Sequence, residues 1–88
     1  MKATFIKDVS SKFSGTAKVF RLDPPMTNYG KEHSVVIASA VTSLGTPEVY
    51  LFPSTKDGEI TDWGELPGSQ KGTLNIDKVI QDAGYTIQ

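Results

Sequence analysis

The segment 34–42 constrains the fold most, because its apolar residues fall on both faces of an extended strand. Each face carries three of them: Val35, Ile37 and Val41 on one, and Val36, Ala38 and Ala40 on the other. A strand that is apolar on both sides is covered on both sides by the rest of the protein. The pattern therefore predicts a central strand of a sheet. With 88 residues, the chain is expected to form a single domain around it, spanning 1–88.

Other segments alternate apolar and polar residues and are predicted to be strands. They are residues 3–9, 16–22, 49–52 and a short final strand within 85–88. Asp23-Pro24-Pro25 is expected to end the second strand, since proline cannot donate to a ladder. The polar residues 26–33 are then expected to form a surface loop.

One helix is predicted, over residues 75–83. Asn75 is a suitable N-cap, Gly84 supplies a left-handed residue after the last turn, and Tyr85 is placed to contact Ile80 as in a Schellman cap. The apolar residues recur at helical spacing: Ile76, Val79, Ile80 and Ala83. The predicted fold is therefore α+β, a mainly antiparallel sheet of four or five strands with this C-terminal helix packed on one face.

Residues 57–69 contain two turn signals and the only tryptophan. Asp57-Gly58 is typical of a tight hairpin turn with positive φ at both central positions, which would pair residues 49–52 with residues 59–63. Pro67-Gly68 is typical of a type II turn.

Trp63 lies between these two turns. Because a tryptophan buries on the order of 200 Å², we expect Trp63 to anchor its loop onto the sheet, with Leu66 packed beside the ring. The alternative is that Trp63 is a ligand-stacking residue. The candidate binding residues are then Trp63, Asp62, Glu65 and Tyr50.

No pattern of residues indicates catalysis or a bound metal. The carboxylates from Asp57 onward lack the glycine at position six and the glutamate at position twelve of a calcium loop. The only histidine, His33, has strand neighbours that point to the opposite face, which argues against a catalytic triad. A phosphate-binding loop requires the order Gly-Lys-Ser/Thr, whereas Lys71-Gly72-Thr73 has the lysine before the glycine. We therefore expect no enzymatic activity, no catalytic residue, no cofactor and no metal.

Charge and composition limit the partners and the location. The net charge is -1, there are no cysteines, and no apolar run is longer than four residues, the length of 35–38. A signal peptide and a membrane segment are not expected, which favours the cytoplasm. Residues 1–33 carry six Lys/Arg against three Asp/Glu, and residues 34–88 carry three against seven. The lysines near Phe13 and Phe20 suggest a nucleic-acid surface, but the balanced total charge argues against it.

Several blocks of the sequence resemble a group of small uncharacterised proteins of actinobacteria and of the bacteriophages that infect them. The blocks are Arg-Leu-Asp-Pro-Pro at 21–25, Val-Val-Ile-Ala-Ser-Ala at 35–40, Thr-Pro-Glu-Val-Tyr-Leu-Phe-Pro at 46–53 and Asp-Gly-Glu-Ile-Thr-Asp-Trp-Gly-Glu-Leu-Pro-Gly-Ser at 57–69. The resemblance covers roughly residues 16–85 and implies a phage or prophage origin. Residues 45–47 read Gly-Thr-Pro where the group has Ser-Gly-Pro, and no activity is carried over from the group.

The leading functional hypothesis from the sequence is a non-enzymatic module that binds a host or phage protein. Sheet edges and tight loops are common means of such binding. The alternative is a protein that binds a small ligand or nucleotide through the Trp63 region.

Overall fold

A computed structural model describes residues 1–88 and shows one six-stranded sheet with a single α-helix. The elements are β1 Lys2–Asp8, a 3₁₀-helix Ser10–Lys12, β2 Thr16–Asn28, β3 Lys31–Ser43, β4 Thr46–Pro53, β5 Gln70–Lys71, α1 Ile76–Asp82 and β6 Thr86–Ile87. The strand order is β5-β4-β3-β2-β1-β6. Neighbouring strands are antiparallel except β1 and β6, which are parallel. The α+β class is confirmed, but the sheet is mixed and has six strands rather than four or five.

The central strand predicted from residues 34–42 is β3, and it is covered on both faces. A larger cluster of 13 buried residues includes Val36, Ala38 and Ala40 and packs against α1. A smaller cluster of four buried residues on the opposite face includes Ile37. We call these the helix face and the second face. The small alanines of β3 lie under the helix, as expected where another element approaches a sheet closely.

The second strand does not end at Pro24-Pro25, so this prediction is wrong. The ladder between β2 and β3 is interrupted between Arg21 and Met26 and then resumes, with Met26 opposite His33. The prolines lie in this irregular stretch, where no ladder hydrogen bond requires their missing donor. β2 consequently runs for 13 residues.

The surface loop predicted at 26–33 is also wrong, because these residues complete a β-hairpin. Tyr29 and Gly30 form its two-residue turn with φ of 52° and 75°. The β3–β4 hairpin has the same kind of turn at Leu44 and Gly45, with φ of 51° and 81°. Positive φ at both turn positions matches the twist of paired strands, so the chain reverses with two residues. The two tips lie at opposite ends of β3.

The C-terminal helix is confirmed, and both of its predicted caps are present. The Asn75 side chain accepts a hydrogen bond from Lys78 N at 3.0 Å. Gly84 has φ of 100°, and Tyr85 N donates to Ile80 O at 3.3 Å, as in a Schellman cap. Tyr85 is buried, and its hydroxyl donates to Pro24 O at 2.8 Å. At seven residues, α1 is far too short to cross a membrane, and no other α-helix is present.

The short strand β5 was not predicted from the sequence. It pairs with Glu48 and Val49 of β4. Gln70 reaches from it to the helix, where its side-chain nitrogen donates to Asp82 at 2.9 Å and its side-chain oxygen accepts from Lys78 at 3.2 Å. This edge of the sheet is thereby tied to α1.

The Asp57-Gly58 turn covers the second face instead of closing a regular hairpin. Only one bridge forms beyond β4, between Ser54 and Ile60. Of Asp57 and Gly58, only Gly58 has positive φ, 86°. Its N–H donates to Thr55 O at 3.0 Å, so Gly58 is the last residue of the turn and not a central one. The predicted pairing of residues 49–52 with residues 59–63 is therefore wrong, because the one bridge lies outside 49–52, at Ser54. Gly58 packs directly against Val9, which makes the turn a lid over the smaller cluster.

Candidate functional site

Trp63 is 72% exposed, so the prediction that it anchors the loop is wrong. Its one aromatic neighbour is Phe52, with ring centroids 5.4 Å apart and planes at 62°. Leu66 is the anchor instead, because it is 2% exposed and belongs to the cluster on the helix face. The burial expected of the tryptophan is supplied by a residue three positions later.

Backbone hydrogen bonds fix this arrangement. Leu66 N donates to Leu51 O at 2.7 Å, and Leu51 N donates to Ser69 Oγ at 3.0 Å, so residues 66–69 lie along the edge of β4. Gly68 has φ of 103°, and Ser69 N donates to Leu66 O at 3.4 Å, which confirms the predicted type II turn at Pro67-Gly68. Leu66 is thus held inward.

A second local interaction shapes the backbone around Trp63. The Asp62 carboxylate accepts a hydrogen bond from Gly64 N at 2.8 Å, closing a turn around the tryptophan. Leu66 is fixed in the core and Asp62 and Gly64 are joined by this turn, so Trp63 between them is held at the surface. Its exposure follows from the hydrogen bonding of its neighbours.

Trp63 completes a row of three aromatic rings on the second face, which we call the aromatic row: Tyr50, Phe52 and Trp63. Tyr50 and Phe52 are alternate residues of β4, so they share a face, and their rings stack with centroids 5.9 Å apart and planes at 26°. Both are half-buried. The row is therefore firmly seated at Tyr50 and Phe52 and open to solvent at Trp63.

Carboxylates border the aromatic row. The Tyr50 hydroxyl donates a hydrogen bond to the Glu48 carboxylate. Glu48 is buried and forms a salt bridge with Lys71 at 3.9 Å. The hydrogen bond to Glu48 raises the pKa of Tyr50, and desolvation and the negative charges of Glu48 and Glu65 raise it further. Asp62 and Glu65 are exposed, and neither makes an ion pair. Two carboxylates without ion pairs are therefore close to Trp63 in the chain.

A polar groove of about 460 Å³ adjoins the Trp63 turn. Asp62, Gly64 and Glu65 line one part of it, together with Pro53. The end of the β2–β3 hairpin supplies the rest of the lining: Asn28, Tyr29, Lys31 and His33. Asp62 and Glu65 thus belong both to the Trp63 turn and to the groove.

The structure brings the four predicted binding residues to one side of the molecule and adds others. Trp63 and Tyr50 belong to the aromatic row, and Asp62 and Glu65, which are close to Trp63 in the chain, line the adjoining groove. Phe52, which connects Tyr50 to Trp63, was missed, although its alternation with Tyr50 was a usable signal. Tyr29, Lys31 and His33 were missed because residues 26–33 were expected to form a loop.

Chemically, the site offers aromatic surface and negative charge. His33 makes no hydrogen bond to a hydroxyl or carboxylate, and no three His, Cys, Asp or Glu residues are grouped as metal ligands. In comparisons with known proteins, no family model, no curated protein and no solved structure matches this chain.

Proposed function

We propose that this protein is a non-enzymatic protein-binding module that contacts its partner through the aromatic row. The observation that carries the proposal is Trp63, a large ring that is 72% exposed in a fold with a small core. An exposed tryptophan supported by other aromatic rings is typical of interface hot spots, where tryptophan and tyrosine are enriched.

Preorganisation of the site supports this proposal. The Asp62–Gly64 hydrogen bond and the buried Leu66 hold the Trp63 turn on both sides of the ring. Since the turn is already formed, binding would cost little conformational entropy in the backbone. A partner surface that covers Trp63 would also cover the exposed part of Phe52, extending the apolar contact.

The source of the partner is proposed from the sequence resemblance. The Asp-Gly-Glu-Ile-Thr-Asp-Trp-Gly-Glu-Leu-Pro-Gly-Ser block resembles small proteins of actinobacteria and their phages. We propose a phage-encoded protein that meets a host or phage protein in the host cytoplasm. In that block, Trp63 is the large apolar side chain that is exposed to solvent.

The test is affinity purification from an actinobacterial host with wild-type and Trp63→Ala baits. We expect the specific partner to be retained by wild type and lost with Trp63→Ala. Leu44→Ala is the matched control, because Leu44 is an exposed apolar residue at the far hairpin tip. A partner that binds Trp63→Ala as well as wild type would contradict the proposed surface.

A second candidate function is small-ligand or nucleotide binding in the polar groove. Its volume of about 460 Å³ lies in the range of ligand pockets, Lys31 and His33 offer donors to a ligand, and Asp62 and Glu65 offer acceptors. Thermal shift against nucleotides tests this function, since a ligand at 100 times its dissociation constant stabilises by about 2.7 kcal/mol. A shift that Lys31→Ala abolishes and Trp63→Ala leaves unchanged would favour this second function.

A further inference from the structure

Two exposed carboxylates close to Trp63 in the chain have no ion-pair partner. Asp62 and Glu65 lie on either side of Trp63 in the same turn, and neither carboxylate makes an ion pair. At the Tyr50 end of the row, Lys71 is already paired with Glu48 at 3.9 Å. The side chains around Trp63 therefore leave negative charge for a partner to neutralise.

Resting on the proposed function, we infer that the partner presents an arginine to this surface, with its guanidinium against the Trp63 ring and its N–H groups on Glu65 or Asp62. A guanidinium is planar and weakly hydrated, and it both stacks on aromatic rings and donates in a fork to carboxylates. Trp63 and its two flanking carboxylates supply both kinds of acceptor within a four-residue turn.

Other partner chemistries fit this surface less well. An acidic segment would be repelled by Asp62 and Glu65. A purely apolar segment would desolvate the two carboxylates without providing a partner for them. A lysine would neutralise the charge, but its compact, strongly hydrated ammonium lacks the planar fork. Arginine satisfies the ring and the carboxylates together.

The protein's own cations do not already fill this role. Lys31 and His33 line the groove beyond Asp62 and Glu65, yet neither forms a salt bridge with them. The Asp62 carboxylate accepts from Gly64 N through one oxygen only, and Glu65 has no side-chain hydrogen bond. Acceptor atoms therefore remain for an incoming guanidinium.

The inference is tested with four short peptides of one sequence that differ at two positions, carrying arginine, lysine, citrulline or glutamate. Citrulline keeps the shape of arginine without its charge. Binding is followed by Trp63 fluorescence and by amide and indole chemical shifts of the labelled protein. We expect the arginine peptide to bind weakly, with a dissociation constant on the order of 1 mM, and to perturb Trp63 and Glu65. The lysine peptide should bind less tightly, and the other two should not bind.

Carboxylate variants make the test specific. Glu65→Gln and Asp62→Asn should each weaken the arginine peptide by roughly 2- to 5-fold, and added salt should weaken it further. Asp77→Asn is the matched control, because Asp77 is an exposed carboxylate on the helix in the opposite layer, and it should change nothing. Equal binding of the citrulline and arginine peptides, or no effect of Glu65→Gln, would overturn the inference.

Failure of the inference can be separated from failure of the proposed function. If the arginine peptide does not bind but the affinity-purified partner still requires Trp63, the proposed binding surface is retained and the inference of an arginine on the partner is wrong. If the partner also binds Trp63→Ala as well as wild type, both are wrong.

Discussion

At the residue scale, Trp63 and Leu66 have opposite roles although they are three positions apart. Trp63 is 72% exposed, whereas Leu66 is 2% exposed within the helix-face cluster. Large apolar residues contribute to stability in proportion to the area they remove from water. The smaller residue is therefore the one that holds this segment on the sheet.

We predict that Trp63→Ala changes the free energy of unfolding by no more than about 1 kcal/mol, whereas Leu66→Ala lowers it by about 2 to 5 kcal/mol. Urea unfolding followed by far-UV circular dichroism measures both without the tryptophan signal. Native emission near that of free tryptophan, with ready quenching by acrylamide, is expected for the same reason. A loss above 2 kcal/mol for Trp63→Ala would show that the ring is buried.

Gly58 and Gly72 have nearly equal φ, 86° and 89°, in different surroundings. A Cβ at Gly58 would lie 2.8 Å from Val9 Cγ1, while one at Gly72 meets nothing within 4 Å. We expect Gly72→Ala to cost about 1 to 2 kcal/mol from the backbone alone. Gly58→Ala should cost about 1 to 3 kcal/mol more, because it also overpacks the lid. Equal urea midpoints for the two variants would contradict the close packing of Gly58 on Val9.

At the scale of elements, the β3–β4 hairpin turns through a residue poorly suited to its conformation. Leu44 has φ of 51° and is fully exposed, so no packing offsets the strain of its backbone. Asn-Gly is the preferred pair in such a turn. We predict that Leu44→Asn raises the free energy of unfolding by about 0.5 to 1 kcal/mol.

Thermal and urea unfolding of Leu44→Asn and Leu74→Asn check this. Leu74 is also an exposed leucine, but its φ is not positive, so its replacement should bring no gain. Equal effects of the two substitutions would attribute any gain to the loss of surface leucine rather than to the turn.

At the scale of the whole molecule, titrating groups with shifted pKa values set the pH range of stability. Hydrogen bonding from Ser10 lowers the pKa of Asp8, and hydrogen bonding from Lys78 and then Gln70 lowers that of Asp82. The hydrogen bond to Glu48 raises the pKa of Tyr50, and desolvation raises that of Tyr85. Folding therefore favours the charged form of these two carboxyls and the neutral form of these two phenols.

Because of the directions of these pKa shifts, the free energy of unfolding is expected to fall at both acidic and alkaline pH. The carboxyl contributions are present above an ordinary pKa of about 4 and are lost as pH falls through the lower folded values. The phenol contributions are present below about 10 and are lost as pH rises through the higher folded values. We predict a urea midpoint that is level from about pH 5 to 9 and falls on both sides. Tyr85→Phe should weaken the alkaline fall, and an unchanged fall would rule out Tyr85 as a cause.

Local patterns in the sequence determined the elements whose stabilising interactions lie close together in the chain. The helix at Ile76–Asp82, its cap at Asn75 and its end at Gly84 were all predicted, because each depends on residues within one turn. The type II turn at Pro67-Gly68 was predicted for the same reason, and the coverage of β3 on both faces was predicted from its apolar residues on both faces. An amphipathic period, a cap and a turn are local properties of a chain.

Tertiary structure alone decided which residues of the candidate site are buried and which are exposed. β2 passes Pro24-Pro25 because β3 continues to pair with it beyond the irregular stretch, a contact that residue preferences do not encode. Leu66 takes the core position because its backbone N–H donates a hydrogen bond to Leu51 O at the edge of β4. This arrangement leaves Trp63 in solvent. The sequence determined that a large apolar residue would anchor this loop. Hydrogen bonding between distant residues determined that the anchor is Leu66 and that Trp63 is exposed.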